Sequence, residues 1–365
     1  MNRVNALKKL AFETKGFDGF LLTNEFNLCY LTGCPGLTSL LIPKSGKDTI
    51  YAYGVNYEQA KAMTKGFDVQ MLERGQNLME RIAKQARGSK IKKLAFDALS
   101  IEGYRELAKG LKGNTKLKGR TDLVSELRKV KDTAELELMK KAADLTSMGM
   151  KVAYEVIKPG VKEYEVAAEV EYAMRRKGSG GVAFDTIIAS GVRSAFPHGG
   201  GGTLLGGGCT DRKIQNGDLV VVDMGAVYQH YRSDITRTLA AGRPSPKQTK
   251  LYDIVKAAHD SAFQKIRSGA KAKDVDATAR KVIVDAGYGD FFVHGLGHGV
   301  GLEVHEGPTL SSMSKDKLTD GNVVTDEPGI YIPNFGGVRV EDTILVQKTK
   351  AEYLTSGPIG LGPGS

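Results

Sequence analysis

The stretch GDLVVVDMG, residues 217–225, has a counterpart later in the same chain, GNVVTDEPG at residues 321–329. In each copy a glycine opens the segment, an apolar run follows, and a carboxylate, Asp223 or Glu327, stands at the seventh position. Runs rich in β-branched residues between glycines indicate strands. A carboxylate at the end of such a buried run is costly unless something compensates its charge. The two segments therefore predict equivalent strands that carry a functional acid.

The repetition extends well beyond these two strands. Residues 160–178 match residues 269–287 in length, in both end glycines and in a Val-x-Ala core, and each copy follows an amphipathic helical pattern. Further on, SDITRT matches VEDTIL, which places Asp234 opposite Glu341 and Thr236 opposite Thr343. Two copies are too few for a solenoid. The pattern predicts an α+β domain in which a duplicated unit packs about a pseudo-twofold axis.

The residues before this repeat predict a separate α/β domain. Apolar runs bounded by Gly, Pro and Asn indicate strands at 18–23, 28–33, 39–43 and 48–53, and helical patterns follow at 57–65, 76–87 and 101–111. Asp132, with Glu135 three residues later, is a helix-start signature. We place the domains at residues 1–125 and 126–365.

Composition narrows the class of protein. The 365 residues are 41% hydrophobic and 26% charged, as in ordinary globular proteins, and no apolar run reaches the length of a membrane span. The first 17 residues lack the apolar core of a signal peptide. Three cysteines in unrelated contexts argue against a disulfide framework. These features predict a cytoplasmic protein without a membrane partner.

The net charge of +10 lies entirely in the first part of the chain. Residues 1–130 hold 23 Lys and Arg against 13 Asp and Glu, whereas the remainder holds 29 of each. A basic half can bind nucleic acid. Its charges are scattered, however, and few aromatic residues stand among them, so we predict a solvated surface and no nucleic-acid partner.

Three of the six histidines lie in FFVHGLGHGVGLEVHEGP, residues 291–308. The spacing of His294 and His298 fits one face of a helix, but four glycines at alternate positions disfavour a helix by about 1 kcal/mol each. We predict an extended segment packed closely against a partner or ligand.

Four carboxylates at matching points of the repeat would repel one another strongly where the two halves meet. Two divalent cations would remove this conflict, and His298 is placed to complete the ligand set. The alternative for any single residue is an ordinary turn or core position. The symmetric set of four acids with a histidine between glycines favours the metal site.

The segments VVVDMGAVYQHYRSDITRT, HGLGHGVGLEVHEGP, DEPGIYIP and GGVRVEDT resemble the pita-bread metallopeptidases, in particular the branch of Xaa-Pro dipeptidases (prolidases) and Xaa-Pro aminopeptidases. FDGFLLTNEFNLCYLTG is similar to the creatinase-like N-terminal domain of that family. The resemblance covers nearly the whole chain and implies a pita-bread fold for its C-terminal domain.

The resemblance also implies roles for individual residues. The ligands of the two metal ions would be Asp223, Asp234, His298, Glu327 and Glu341, with Asp234 and Glu341 bridging the ions. Glu327 would also transfer the proton of the nucleophilic water. His198 and His305 would contact the substrate and stabilise the tetrahedral intermediate, while His294 lines the pocket. Arg339 would hold a carboxylate, either near Glu341 or at the C-terminus of the substrate.

Ligation by oxygen atoms with one imidazole and no thiolate favours Mn²⁺ or Co²⁺, with Zn²⁺ also able to bind. Thr236 and Thr343 are placed to donate hydrogen bonds to the ligand carboxylates. The run GGGGTLLGGGC, residues 199–209, departs from the family pattern, and either a lid or a simple hairpin tip is consistent with its glycines.

The expected activity is hydrolysis of the Xaa-Pro bond, in dipeptides by resemblance to short microbial prolidases, and the family implies a homodimer. Cleavage of longer peptides by an Xaa-Pro aminopeptidase is the first alternative. A metal-free binding scaffold of the same fold is the second, but such proteins lack several ligands that are all present here.

Overall fold

Short apolar runs in the first 120 residues form one mixed sheet. The computed structural model describes residues 3–200 and 207–362 and divides the chain into two units, Met1–Arg128 and Lys129–Ser365. In the first unit six strands lie in the order β4-β3-β2-β1-β5-β6. Their bounds are β1 Gly19–Leu22, β2 Ser39–Pro43, β3 Thr49–Tyr53, β4 Asp68–Leu72, β5 Lys93–Phe96 and β6 Lys116–Gly119.

Helices connect or flank these strands, and three of them lie where the periodicity predicted. Their bounds are α1 Arg3–Lys8, continued by a π-helical turn at Lys9–Thr14, α2 Glu25–Thr32, α3 Gly54–Met63, α4 Leu78–Gly88, α5 Ile101–Leu111 and α6 Asp122–Lys129. The predicted helices at 57–65, 76–87 and 101–111 correspond to α3, α4 and α5. Buried Leu, Ile and Ala side chains of α4 and α5 cover one face of the sheet.

The strand predicted at residues 28–33 is wrong, because α2 occupies that position. The side chain of Asn24 accepts a hydrogen bond from the amide of Asn27, which caps the start of the helix. Gly33 ends it in the left-handed conformation, with φ of 72°. These two end signals outweigh the β-like composition of the segment between them.

The second unit contains the duplicated architecture predicted from the sequence. Four helices supply its outer layer: α7 Thr133–Val156, α8 Glu163–Arg176, α9 Pro246–Phe263 and α10 Ala272–Asp285. The predicted capping box of α7 is present, since Asp132 accepts from the Glu135 amide and Glu135 accepts from the Asp132 amide.

The large sheet of this unit follows the order β14-β13-β15-β18-β12-β9-β8, with β19 also paired to β18. The repeated strands are thus arranged symmetrically about the β12–β18 contact. The strands are β7 Gly181–Val182, β8 Ile187–Ser190, β9 Leu219–Met224, β10 Ala226–Tyr228, β11 Tyr231–Arg232, β12 Ile235–Ala240, β13 Gly297–Gly299, β14 Glu306–Leu310, β15 Val323–Asp326, β16 Gly329–Ile332, β17 Gly336–Arg339, β18 Glu341–Val346 and β19 Ala351–Tyr353.

Each half has its own hydrophobic core, but the halves differ at three equivalent buried positions. In the first half Met150, Val222 and Ile235 belong to the apolar core. Their counterparts in the second half are all buried and polar, namely His259, Asp326 and Asp342. Burial lowers the pKa of His259, but the nearby carboxylates outweigh it and raise that pKa to about 9. His259 therefore serves as a buried counter-ion for these carboxylates.

Among the described residues, no helix combines the length and apolar character needed to cross a membrane.

Candidate metal centre

All predicted site residues line one cavity of the second unit, with a volume of about 880 Å³. The cavity opens at the middle of the large sheet, where the two halves of the repeat meet. Its polar lining includes Asp223, Asp234, His298, Glu327 and Glu341, together with His198, His294, His305 and Arg339. Residues more than a hundred positions apart in sequence are thus brought together by the strand pairing.

The pairing of β12 with β18 brings Asp234 and Glu341 close together. In this pairing Thr236 lies opposite Glu341, and the Thr236 hydroxyl donates a 2.5 Å hydrogen bond to Glu341 Oε2. The similar role predicted for Thr343 is wrong: its hydroxyl donates to the backbone carbonyl of Asp234 at 2.7 Å and accepts from the Asp234 amide. Asp234 precedes the β12 ladder, so its backbone groups need these partners.

Glycines allow β13 to run close against its neighbours. A Cβ atom on Gly297 would lie 2.2 Å from the Thr325 carbonyl oxygen, and one on Gly299 would lie 2.2 Å from the Gly307 carbonyl oxygen. The predicted extended segment with close backbone approach is therefore confirmed. His298, between these glycines, projects into the cavity.

The contacts of the His298 ring orient it toward the acids. Nδ1 lies 3.1 Å from the Gly299 carbonyl oxygen, so a hydrogen stands on Nδ1, and Nε2 is left to bind a metal ion or, in the metal-free protein, to share a second hydrogen with Glu327. Nε2 consequently faces the carboxylates, 3.2 Å from Glu327 Oε1 and 3.9 Å from Asp234 Oδ2. Thr325 supports both partners, because its hydroxyl accepts from the His298 amide and donates to Glu327 Oε1, each at 3.0 Å.

Three buried oxygens of this cluster have no hydrogen-bond partner among the described residues: Asp223 Oδ1, Asp234 Oδ1 and Glu341 Oε1. Buried polar atoms are normally paired, so these oxygens indicate a missing partner. Ligand atoms of Asp234, His298 and Glu341 lie within 4.8 Å of one another. The residues present therefore fit a bound cation, and their oxygen-rich chemistry suits a divalent one.

The acids also perturb one another's ionisation. Burial raises the pKa of Asp234 well above its usual value, and the charges of Glu341 and Asp223 raise it further. Burial likewise raises the pKa of Glu341, helped by Glu327 and Asp223. A divalent cation would favour the ionised forms of both residues.

Glu327 differs from these two acids. Burial opposes its ionisation, but the hydrogen bond and charge of His298 outweigh burial and lower the Glu327 pKa to about 2. Glu327 is thus the ionised acid of the group, in a hydrogen-bonded pair with His298.

Arg339 holds the carboxylate of Asp223 within the acid cluster, whereas its predicted contact with the substrate C-terminus stays a prediction. Its side chain is buried, and Nη2 donates to Asp223 Oδ2 at 2.5 Å. Nε donates to the Thr236 hydroxyl at 3.0 Å, and Nη1 donates to Tyr331 Oη at 2.8 Å and to the Pro197 carbonyl oxygen at 3.2 Å. Most of the Arg339 donors are therefore already occupied, and its charge lies close enough to Glu341 to oppose the rise in the pKa of that acid.

Three further histidines surround the acids. The His305 ring stands edge-on to His298 with centroids 4.2 Å apart, and partial burial together with His298 lowers its pKa to about 4. Burial also lowers the pKa of His294, whose Nδ1 contacts the Gly295 carbonyl oxygen and whose Nε2 lies 2.9 Å from Tyr331 Oη. His305 and His294 are thus neutral at pH 7. His198 is exposed at the cavity wall.

Two residues of the site were not identified from the sequence. Thr325 lies two positions before Glu327 on a strand, so alternation of side chains could have placed it beside that acid. Tyr331 links Arg339 to His294, but it lies on the β16–β17 hairpin, whose position over the sheet has no local signal. The glycine-rich segment at 199–209 was predicted to be a lid or a hairpin tip. Its residues 201–206 lie outside the part of the chain that the structure describes, so this prediction stays untested.

A duplicated α+β domain whose central cavity gathers four carboxylates and a histidine defines a metallohydrolase of the pita-bread class. The model of metallopeptidase family M24 matches residues 137–348, and that of the creatinase/prolidase N-terminal domain matches residues 3–130. The chain belongs to metallopeptidase family M24.

Individual relatives cover nearly the whole chain. An Xaa-Pro dipeptidase of Pyrococcus horikoshii is 40% identical over 94% of each chain. The crystal structure of the prolidase from Pyrococcus horikoshii is similar with a TM-score of 0.90 and 38% identity, covering 99% of this chain and 100% of that one. The X-Pro aminopeptidase from Thermotoga maritima has a TM-score of 0.88 and 34% identity, covering 99% of each chain.

Proposed function

We propose that this protein is a metal-dependent dipeptidase that hydrolyses the Xaa-Pro bond. The observation that carries the metal dependence is a set of three carboxylate oxygens that face one cavity beside His298 and have no hydrogen-bond partner in the described part of the chain. The proline-specific substrate is supported by the Xaa-Pro dipeptidase that resembles this chain over 94% of its length. Asp223, Asp234, His298, Glu327 and Glu341 would hold two ions.

When bound, the ions supply a water of lowered pKa and polarise the scissile carbonyl. The chain supplies the proton transfer: Glu327 is ionised and takes the proton of the nucleophile, then passes it to the proline nitrogen. His305 and His198 stand at the cavity wall, where an imidazole N–H can donate to an oxyanion. Thr325 and Thr236 fix the Glu327 and Glu341 carboxylates by donating to them.

Mn²⁺ or Co²⁺ is the proposed metal, because four carboxylates and a single imidazole form a harder ligand set than a zinc site with thiolates, although Zn²⁺ can bind the same residues.

The cytoplasm is the proposed location, supported by the three free cysteines. A homodimer is proposed from family resemblance alone.

An Xaa-Pro aminopeptidase is the second candidate, supported by the likeness to the Thermotoga maritima enzyme. Hydrolysis of an Xaa-Pro dipeptide and of the matching Xaa-Pro-Yaa tripeptide by protein loaded with Mn²⁺ separates the candidates. We expect kcat/KM for the dipeptide to exceed that for the tripeptide by about tenfold or more, because a dipeptide site contacts a carboxylate directly after proline. Faster tripeptide cleavage identifies an aminopeptidase, and cleavage of neither contradicts the proposed function.

Arg339→Lys tests how the free carboxylate is recognised. A lysine cannot hold Asp223, Thr236 and Tyr331 together, because it lacks the planar fork of a guanidinium. Since those contacts position Asp223, we expect kcat/KM to fall by about tenfold or more for both the dipeptide and its C-terminal amide. Metal content, measured in the same samples, reports whether Asp223 still binds. A loss confined to the free acid would instead support the predicted capture of the substrate carboxylate.

A further inference from the structure

A buried acid outside the metal cluster ties together the chain on both sides of His198. Glu163 begins α8 and is fully buried. Its Oε1 accepts from the amide and hydroxyl of Ser190 at 2.8 and 2.7 Å. Its Oε2 accepts from the amide and hydroxyl of Thr210 at 2.9 and 2.7 Å, and from Arg193 Nη1. One carboxylate thus fixes the end of β8, the turn that follows it, and the chain at Thr210.

The other arm of Arg193 reaches the backbone next to His198. Nη2 donates to the carbonyl oxygen of Gly199 and to that of Gly207, the latter at 3.3 Å. Arg193 therefore connects a buried carboxylate with two carbonyl groups, one of which belongs to the residue directly after His198. A planar guanidinium presents donors in both directions at once, which an ammonium group cannot do.

The fold itself does not require this acid. Ala272 occupies the position of Glu163 in the second half of the repeat and is also fully buried. The backbone contacts are equivalent, since the Glu163 amide donates to the Arg212 carbonyl oxygen and the Ala272 amide to that of Asp316. The architecture therefore forms with a methyl group at this position. The carboxylate is specific to the half that carries His198.

The His198 ring makes no hydrogen bond within the part of the chain that the structure describes, so its position depends on its backbone. We propose that Arg193, held by Glu163, is a positioning residue that sets where the His198 imidazole lies in the cavity. The inference rests on the proposed function, in which His198 contacts the reacting carbonyl. A displacement of about 1 Å at such a group is enough to lower a rate by about 10²-fold.

A double-mutant cycle tests this proposal. Arg193→Lys, His198→Ala and the double variant are compared on the Xaa-Pro dipeptide with Mn²⁺ present, alongside melting temperature and amide hydrogen exchange at residues 196–200. Arg175→Lys is the matched control, because Arg175 also donates to a backbone carbonyl, that of Gly180 at 2.6 Å, but away from His198.

We expect Arg193→Lys to lower kcat by about 10- to 100-fold in the wild-type background and by less than about twofold when His198 is already Ala. Exchange at 196–200 should rise in Arg193→Lys, while Arg175→Lys should resemble the wild type in both measurements. Equal losses in the two backgrounds, or no loss in either, would overturn the proposal. If the wild type itself does not cleave the dipeptide, the proposed function fails. The exchange data alone then test whether Arg193 holds the backbone at His198, and unchanged exchange in Arg193→Lys refutes that positioning role.

Discussion

Asp234→Asn is expected to remove catalysis and at the same time to stabilise the metal-free protein. Asparagine keeps the shape of the side chain but removes the negative charge that the proposed metal site requires. We therefore expect kcat/KM to fall by about 10³-fold or more, with loss of bound metal measured by elemental analysis. Glu341→Gln should behave in the same way, since Glu341 has the equivalent place in the other half.

The gain in stability follows from the pKa of Asp234. Its folded-state pKa is raised above the unfolded value, so folding binds a proton and the metal-free wild type loses stability as pH rises above about 4. An amide stays uncharged at every pH, so it does not lower the free energy of unfolding in this way. We expect metal-free Asp234→Asn to be more stable at pH 7 by about 1 kcal/mol or more, and its stability to depend less on pH.

Thermal unfolding with chelator and then with Mn²⁺ measures both effects. The wild type should gain stability from the ion, whereas Asp234→Asn should start higher and gain little. Asp253→Asn is the matched control, because it removes an exposed carboxylate of α9 and should change neither property. Full turnover by Asp234→Asn in the presence of chelator would refute the two-metal proposal.

The four acids of the cluster could be predicted from the sequence because the chain is duplicated, so each acid in one half has an acid at the matching position of the other half. The apolar runs of β9 and β15 are followed at the same position by a carboxylate, Asp223 or Glu327, and its recurrence in both copies indicates a function. The helix signature at Asp132 and Glu135 and the close approach of Gly297 and Gly299 are equally local. Local signals therefore predicted most of the strands, the long helices and the four acids with His298 as a candidate set, while the role of each ligand came from the family resemblance.

What the sequence did not predict depends on contacts between distant segments. Arg339 binds Asp223 and Tyr331 because β17 lies over the end of β9, and nothing near Arg339 in sequence encodes that crossing. Arg193 likewise contacts α8 and two carbonyls that lie 8 residues apart in numbering, at 199 and 207. The α2 segment differs, because its two end signals, Asn24 and Gly33, are present in the sequence and determine a helix despite the apolar, β-like composition between them.

Glu327→Gln is expected to separate proton transfer from metal binding. Glu327 is ionised, and its carboxylate accepts from Thr325 and pairs with His298. Glutamine is isosteric and its carbonyl can still accept from Thr325, but it cannot take a proton from the nucleophile. We expect kcat to fall by about 10²- to 10⁴-fold with a much smaller change in KM.

The metal content distinguishes this loss from that of Asp234→Asn. The other four proposed ligands remain, so Glu327→Gln should keep at least one ion per chain. Thr325→Val is the matched comparison, because it removes only the hydroxyl that holds Glu327 and the His298 amide, and we expect a loss of about tenfold. If Glu327→Gln retained kcat within about tenfold of the wild type with a full complement of metal, Glu327 would be only a ligand. The proton would then have to move through one of the neutral histidines that line the same cavity, His305 or His294.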